Sequence, residues 1–211
     1  MSDALINALS DFWAYQQRRP IIIKTGVQAL HRLIPIALSR TTTGKAVGRF
    51  LLGLYDGVTY RFDLKQLHRL APREFEDCLQ VLEMDYMPEV EVHERVEEGE
   101  NLWRELIELW RSQPLGPVHP RSAPLNNVAL HAKHRAPIEA KGIEAFDHLL
   151  QVAERGTHQS RIVGMFLMSL IYRDHYRFNL TDLRGLDINL FEHCISVLRM
   201  DYFLGTQAGK P

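Results

Sequence analysis

The residues best suited to chemistry lie in three places, and each pattern is incomplete. Thr41-Thr42-Thr43-Gly44-Lys45 has the residue types that close a phosphate-binding loop, where backbone N–H groups cradle an anion and a lysine neutralises it. The upstream glycine of such a loop is missing, and the apolar spacing on either side is helical, so the context is helix to helix rather than strand to helix. An anion can sit at that helix N-terminus, but nucleotide hydrolysis is not supported. His131 and His134 stand three apart with His119 upstream, without a nearby cysteine or pair of carboxylates, so they read as linker histidines and no metal is assigned. No nucleophile elbow, zinc-protease helix, dinucleotide fingerprint or paired-cysteine motif occurs, and no cofactor is expected.

The third place is a stretch without carboxylates. Between Asp11 and Asp56 there is none, while Arg18, Arg19, Lys24, Arg32, Arg40, Lys45 and Arg49 supply positive charge. Such a face attracts phosphate backbones or acidic proteins. The region Glu89–Glu108 offers an internal alternative. Its eight glutamates against Arg95 and Arg104 are spaced on a helix whose other side carries Trp103, Leu106, Ile107 and Trp110. That helix could dock on the basic face and neutralise it, and both readings stay open.

What positions these residues is a repeat. Gly26–Tyr86 aligns without a gap with Gly142–Tyr202, 116 residues further on, with 24 of 61 positions identical. Tyr60-Arg61-Phe62-Asp63-Leu64 returns as Tyr176-Arg177-Phe178-Asn179-Leu180, and Met84-Asp85-Tyr86 as Met200-Asp201-Tyr202. The polar residues kept in both copies are Tyr60 and Tyr176, Arg61 and Arg177, Glu76 and Glu192, Asp85 and Asp201, Tyr86 and Tyr202. They could form two equivalent sites. The favoured reading is structural: Arg61 and Arg177 pair with a carboxylate on the last helix of their own module, and the two terminal tyrosines lie against their own module.

Each copy reads as about four helices. Val47, Phe50, Leu51 and Leu54 stand at i, i+3, i+4 and i+7, repeated by Val163, Phe166, Leu167 and Leu170. Thr41 and Thr157 are placed to cap this helix, and Gly48 and Gly164 mark a close helix approach in both copies. Asp63 and Asn179 cap a short leucine-bearing helix, and Pro72 and Asp187 open the last one. The apolar stripes predict that the copies face each other through the helices bearing Phe50 and Phe166. Ahead of the repeat, Leu5, Ala8, Leu9, Phe12 and Trp13 share one face of an N-terminal helix that Pro20 ends, and Pro35 kinks the next helix in the first copy only. Between the copies, Arg111–Lys141 holds five of the ten prolines and reads as an extended linker. The expected division is an N-terminal helix at 1–23, copy one at 24–88, the acidic helix at 89–113, the linker at 114–140, copy two at 141–204 and a tail at 205–211.

Length and composition agree with a chain that buries its own core. It has 211 residues, 45% hydrophobic and 24% charged, with a net charge of −1. Cys78 and Cys194 are repeat equivalents on apolar helical faces and are expected as small buried thiols rather than as a disulfide between copies. The N-terminus lacks a secretory pattern, and no apolar run in the sequence approaches a span of roughly 20 residues. Soluble, cytoplasmic protein with no membrane association is the expectation.

Gly48–Leu54, Asp56-Gly57, Tyr60–Leu64 and the Met-Asp-Tyr ending resemble a bacterial family of unknown function, typical of integrative conjugative elements and plasmids. The resemblance covers both copies. It implies a mobile-element context and cytoplasmic location, and brings no catalytic residue with it. In copy two, Tyr172–His175 replaces the Asp-Gly turn. The sequence therefore predicts an all-α protein of two tandem modules related by an approximate internal two-fold. Its expected function is a non-enzymatic interaction protein of a mobile element, modulating host defence or element maintenance, with an unknown protein partner or a second copy of itself. A nucleic-acid-binding protein using Arg18 to Arg49 is the alternative, and an enzyme without a recognisable motif the second alternative.

Overall fold

The computed structural model describes residues 3–111, 128–172 and 175–205, and among these the secondary structure is helical. Helix α1 (Asp3–Leu38) is followed by α2 (Thr42–Tyr55), a 3-10 turn at Leu64–Arg69 and α3 (Pro72–Asp85). A 3-10 turn at Val92–Arg95 leads into α4 (Gly99–Trp110). Then come α5 (Val128–Ala153), α6 (His158–Ile171), a 3-10 turn at Leu180–Gly185 and α7 (Ile188–Gly205).

The elements of the first copy recur in the second at the same register. Both α2 and α6 begin and end at aligned positions, as do the 3-10 turns, and α3 and α7 begin at aligned residues. The local causes recur too. Thr41 Oγ1 accepts from the Gly44 N–H at 2.9 Å and Thr157 Oγ1 from that of Ser160 at 3.1 Å. Asp63 and Asn179 accept from the N–H two residues on, at 3.0 and 3.1 Å. Pro72 takes the first position of α3, where its missing N–H costs nothing, and Asp187 accepts from the Leu190 N–H ahead of α7.

Two expectations about helix boundaries are overturned. Pro20 does not end a helix: α1 runs unbroken from Asp3 to Leu38 with Pro20 and Pro35 inside it. The segment expected as extended linker is helical from Val128 on, with Pro137 inside α5. A proline removes one hydrogen bond and strains the preceding turn, but packing along the rest of a long helix can outweigh that local cost. Here Ala29, Leu30, Leu33, Ile34 and Ala37 of α1, and Ala145, Leu149 and Val152 of α5, are buried in the core. The boundary expected between an N-terminal helix and copy one therefore falls inside α1. The rest of the expected linker, 112–127, and the tail beyond 205 lie outside the described residues.

α1 packs on α3 and α2, α5 packs on α7 and α6, and one hydrophobic cluster includes residues of both copies. The copies do not meet chiefly through α2 against α6, as the apolar stripes suggest. Instead α2 leans on the turn Leu180–Gly185, and α6 on Leu64–Arg69. At the centre Phe62 and Phe178 form an antiparallel bridge, each N–H donating to the other's carbonyl at 2.8 Å. The stripes of Phe50 and Phe166 are used within their own copies, edge-on to Phe62 and Phe178 at 5.7 and 5.6 Å.

Candidate functional site

The basic residues of copy one divide on folding. Four of the seven are held by partners within the chain. Arg18 pairs with Glu192 at 2.7 Å, Arg19 with Glu89 at 2.8 Å and with the Met87 carbonyl at 2.6 Å, and Arg32 with Asp77 at 2.6 Å. Arg49 donates to the Trp110 carbonyl at 3.1 Å. The carboxylates thus come from α7, from the segment after α3 and from α3 itself. Helix α4 does dock on α1 and α2, but through Trp103, Leu106 and Trp110, which are buried. Arg40 and Lys45, with Thr41 and Thr42, border a shallow cleft whose other wall is Glu108, Leu109 and Trp110; Lys24 and Arg40 are exposed. A smaller cluster of cations emerges that sequence reasoning did not isolate. Burial, then Arg49 and Arg69, holds the Lys45 ammonium below its usual range, and burial, then Arg177 of the other copy, lowers Arg49. These four cations come from both copies, which no linear pattern could show.

The phosphate-loop-like run is the start of α2. Thr41 is in extended backbone, its hydroxyl is engaged by the Gly44 N–H and by Ser39, and the Lys45 N–H donates to the Thr41 carbonyl. Two donors of that first turn are therefore already satisfied within the chain. His119 lies outside the described residues, as do the side chains of His131 and His134. Among the described residues no group of three or more histidine, cysteine, aspartate or glutamate side chains is placed to hold a metal ion.

Most polar residues shared by the copies fasten one copy to the other, and they do so reciprocally. Tyr86 donates its hydroxyl to the Leu186 carbonyl at 2.7 Å and stacks on Phe191 with centroids 4.1 Å apart. Tyr202 donates to the Leu70 carbonyl at 2.8 Å and stacks on Phe75 at 3.9 Å. The expectation that these rings lie against their own modules is thereby corrected. Asp85 receives a bidentate grip from Arg184 at 2.8 and 3.0 Å, while His68, at the position aligned with Arg184, meets Asp201 at 2.9 Å. Arg184 also reaches Glu91 at 3.0 Å and the Leu54 carbonyl at 3.4 Å. Burial pushes the Asp85 carboxyl up to about 6 against the pull of Arg184. Glu76 pairs with Arg199 of copy two at 3.3 Å, and Glu192 with Arg18.

Arg61 and Arg177 do not pair with a carboxylate of the last helix, as the repeat suggested. Both are exposed, Arg61 lowering the Asp182 carboxyl electrostatically against a dominant burial effect. Two of the carboxylates on those helices, Asp85 and Asp201, are instead met by Arg184 and His68. Tyr60 packs against the core, and Tyr176 rests near Tyr172, with centroids 6.4 Å apart. Cys78 and Cys194 are free and buried, and burial pushes both thiols well up. In copy two, the place of the Arg32–Asp77 pair is taken by His148 and His193, whose Nδ1 atoms are 3.2 Å apart.

The surface that sequence reasoning missed is apolar. With α1 continuous, its inward face is set by Ala29, Leu30 and Leu33 and extrapolates back at helical period to partly buried Ile22 and buried Tyr15, which sits edge-on to Tyr86 at 5.6 Å. Leu9, Phe12 and Trp13, expected to be the buried stripe of a separate helix, consequently point outward and are 46%, 42% and 65% exposed. Leu9–Leu38 is also, among the described residues, a stretch long and apolar enough to cross a membrane by length and composition, although the sequence reading found no such run. Its apolar residues from Ala29 to Ala37 are accounted for by the core.

A model of a family of unknown function, DUF7673, matches residues 27–111 and 143–208. The first match takes in α4 together with copy one, and the second covers copy two. No curated protein and no solved structure matches the chain. The two matched regions span most of the sequence, so the chain belongs to this family of unknown function.

Proposed function

From a family of unknown function no activity follows, and we propose that the chain is a non-enzymatic interaction protein whose partner is another protein. The observation that carries this reading is the apolar surface near the start of α1, where Leu9, Phe12 and Trp13 stand exposed on a helix anchored by Tyr15 and by its core residues from Ala29 to Ala37. Covering a large apolar side chain is worth roughly 1.5–3 kcal/mol, so a partner that covers these three gains a hot spot of the kind aromatic residues usually form. In support, we read the two copies as roughly four-helix modules related by an approximate two-fold. The reciprocal Tyr86–Leu186 and Tyr202–Leu70 bonds support this reading and assign the repeated polar residues to assembly rather than to a site. The mobile-element setting, with a role in modulating host defence or element maintenance, belongs to the same proposal, as does a cytoplasmic location. Affinity capture from nuclease-treated bacterial lysate tests it. A protein captured by the wild type and lost with Phe12→Ala plus Trp13→Ala, at unchanged melting temperature, supports the reading. Capture that vanishes with nuclease overturns it.

A second reading rests on the nearness of Lys45 to Arg49 and Arg69 and of Arg49 to Arg177, whose charges add to burial in lowering Lys45 and Arg49 while Asp63 opposes at Arg49, a cluster suited to phosphates. If it engages nucleic acid, duplex DNA affinity falls steeply with salt and is lost in Lys45→Glu plus Arg177→Glu. Absence of salt-dependent binding in the wild type removes it.

A further inference from the structure

The copies differ in what covers their second helix. In copy one α4 lies across α1 and α2, its Trp110 indole seated on Gly48 so closely that a Cβ there would meet the ring. Trp110 Nε1–H donates to the Ala37 carbonyl at 2.8 Å, and Trp103 and Leu106 fill the rest of the contact. At the aligned place in copy two, a Cβ on Gly164 would find no atom within 4 Å. The surrounding residues remain apolar but are uncovered. Ile34 is 8% exposed whereas its equivalent Leu150 is 41% exposed, and Leu52 at 1% corresponds to Met168, which is only partly buried. Ala37 is buried and Ala153 only partly so.

Copy two has thus kept the seat of an α4-like helix without one on it among the described residues. The charges match as well. The Trp110 carbonyl, at the end of α4, is met by Arg49. In copy two Met165 takes the place of Arg49, and exposed Arg155 and Arg161 stand in the same region, where a docked helix would present its partly negative C-terminus.

We propose that the α5–α6 face around Gly164 is a docking site for an acidic amphipathic helix of a partner protein. It would bind in the manner of α4 on copy one, with an aromatic side chain over Gly164. This deepens the interaction reading above by giving one surface and the chemistry of its ligand.

The test is a fluorescence-anisotropy titration of the full chain with a labelled peptide of the sequence Glu97–Arg111. The tethered α4 holds its own seat at high effective concentration, so free peptide goes to the vacant one. The expected result is saturable binding, at least 10-fold weaker when the peptide carries Trp110→Ala, and lost when the protein carries Gly164→Leu. Met168→Glu, a second variant on the same face, loses binding too, and Arg161→Glu weakens it and flattens its salt dependence. Circular dichroism keeps the helical signal of every variant. Absence of peptide binding, or binding that survives Gly164→Leu, overturns the proposal. So does a dimer in sedimentation equilibrium that Gly164→Leu abolishes, because the occupant is then a second copy. None of these outcomes touches capture through Phe12 and Trp13, so failure of this surface is distinguishable from failure of the interaction reading.

Discussion

Gly48 and Gly164 look identical in the sequence, and the structure gives them opposite mutational signs. Adding a methyl group at Gly48 drives it into Cδ1 and Nε1 of the Trp110 ring, and either α4 or α2 must move. Gly48→Ala is expected to cost about 1–3 kcal/mol, the usual penalty of overpacking. At Gly164 the space is open, so Ala brings only its helix propensity and is expected to stabilise by about 1 kcal/mol. Urea denaturation of the two variants checks this. A matching sign at both positions would show that α4 does not sit on Gly48. The close approach was legible in copy one because glycine interrupts a strong apolar stripe there. Its absence in copy two was not, since the neighbour that fills one seat is a helix from outside the repeat.

Among single side chains, Arg184 spans the most. It grips Asp85 of α3, Glu91 beyond it and the Leu54 carbonyl of α2 from a turn belonging to the other copy. Arg184→Met leaves the buried Asp85 without its partner and is expected to cost about 3–5 kcal/mol at pH 7. The pH dependence follows from the sign of the Asp85 shift. Its folded-state carboxyl, pushed up to about 6 from 3.8, contributes fully below 3.8 and loses that contribution as pH rises through about 6. Without Arg184 the charged form is less tolerable still, so the gap between wild type and variant widens from pH 5 to pH 8. Melting curves across that range that stay parallel would contradict the assignment.

At the scale of elements, α1–α3 and α5–α7 are the same packing fastened by different chemistry. Copy one uses Arg32 and Asp77, and copy two places His148 and His193 at those positions. Burial, then the charge of His148, holds His193 below its ordinary range, with Lys141 acting the same way and Glu144 and Glu192 opposing. A group depressed in the folded state contributes fully above its unfolded value and loses that contribution as pH falls below it. Copy two is therefore expected to loosen below about pH 6.5, the ordinary histidine value. In thermal melts, wild type should lose more stability between pH 7.5 and 5.5 than His193→Gln does; equal losses would assign the acid sensitivity elsewhere.

Caps were readable at this scale because each depends on a residue and its next few neighbours: Thr41, Thr157, Asp63, Asn179 and Asp187 all act as their types predict. Helix ends at proline were not. Pro20 and Pro137 lie inside helices whose buried anchors, Ala29 to Ala37 and Ala145 to Val152, are roughly two to five turns away. Misplacing that boundary also misplaced the exposed face. Leu9, Phe12 and Trp13 form a stripe by spacing, but which way a stripe points is fixed by the core at the other end of α1.

At the scale of the whole molecule, the repeat told which residues matter twice without telling against what. Tyr86 and Tyr202 were recognisable as structural, yet their partners Leu186 and Leu70 lie in the opposite copy, a relation that alignment of the copies with each other cannot express. The same holds for the basic residues. Arg18, Arg19 and Arg32 are basic in a run without acids, and each meets a carboxylate brought from elsewhere in the chain. What the copies share holds the molecule together. What they do not share, the outward α1 stripe and the uncovered α5–α6 face, is where we propose that partners are recognised.

The most direct test of that division is partner capture per folded molecule, measured on two variants side by side in nuclease-treated lysate. Arg184→Met is expected to melt at lower temperature, and its folded fraction to capture as wild type does. The reverse is expected of Phe12→Ala plus Trp13→Ala, which should melt as wild type and lose the protein that the α1 stripe captures. If Arg184→Met instead keeps its melting temperature and loses the partner, the contact between Arg184 and the shared Asp85 belongs to the binding site rather than to assembly, and the division fails.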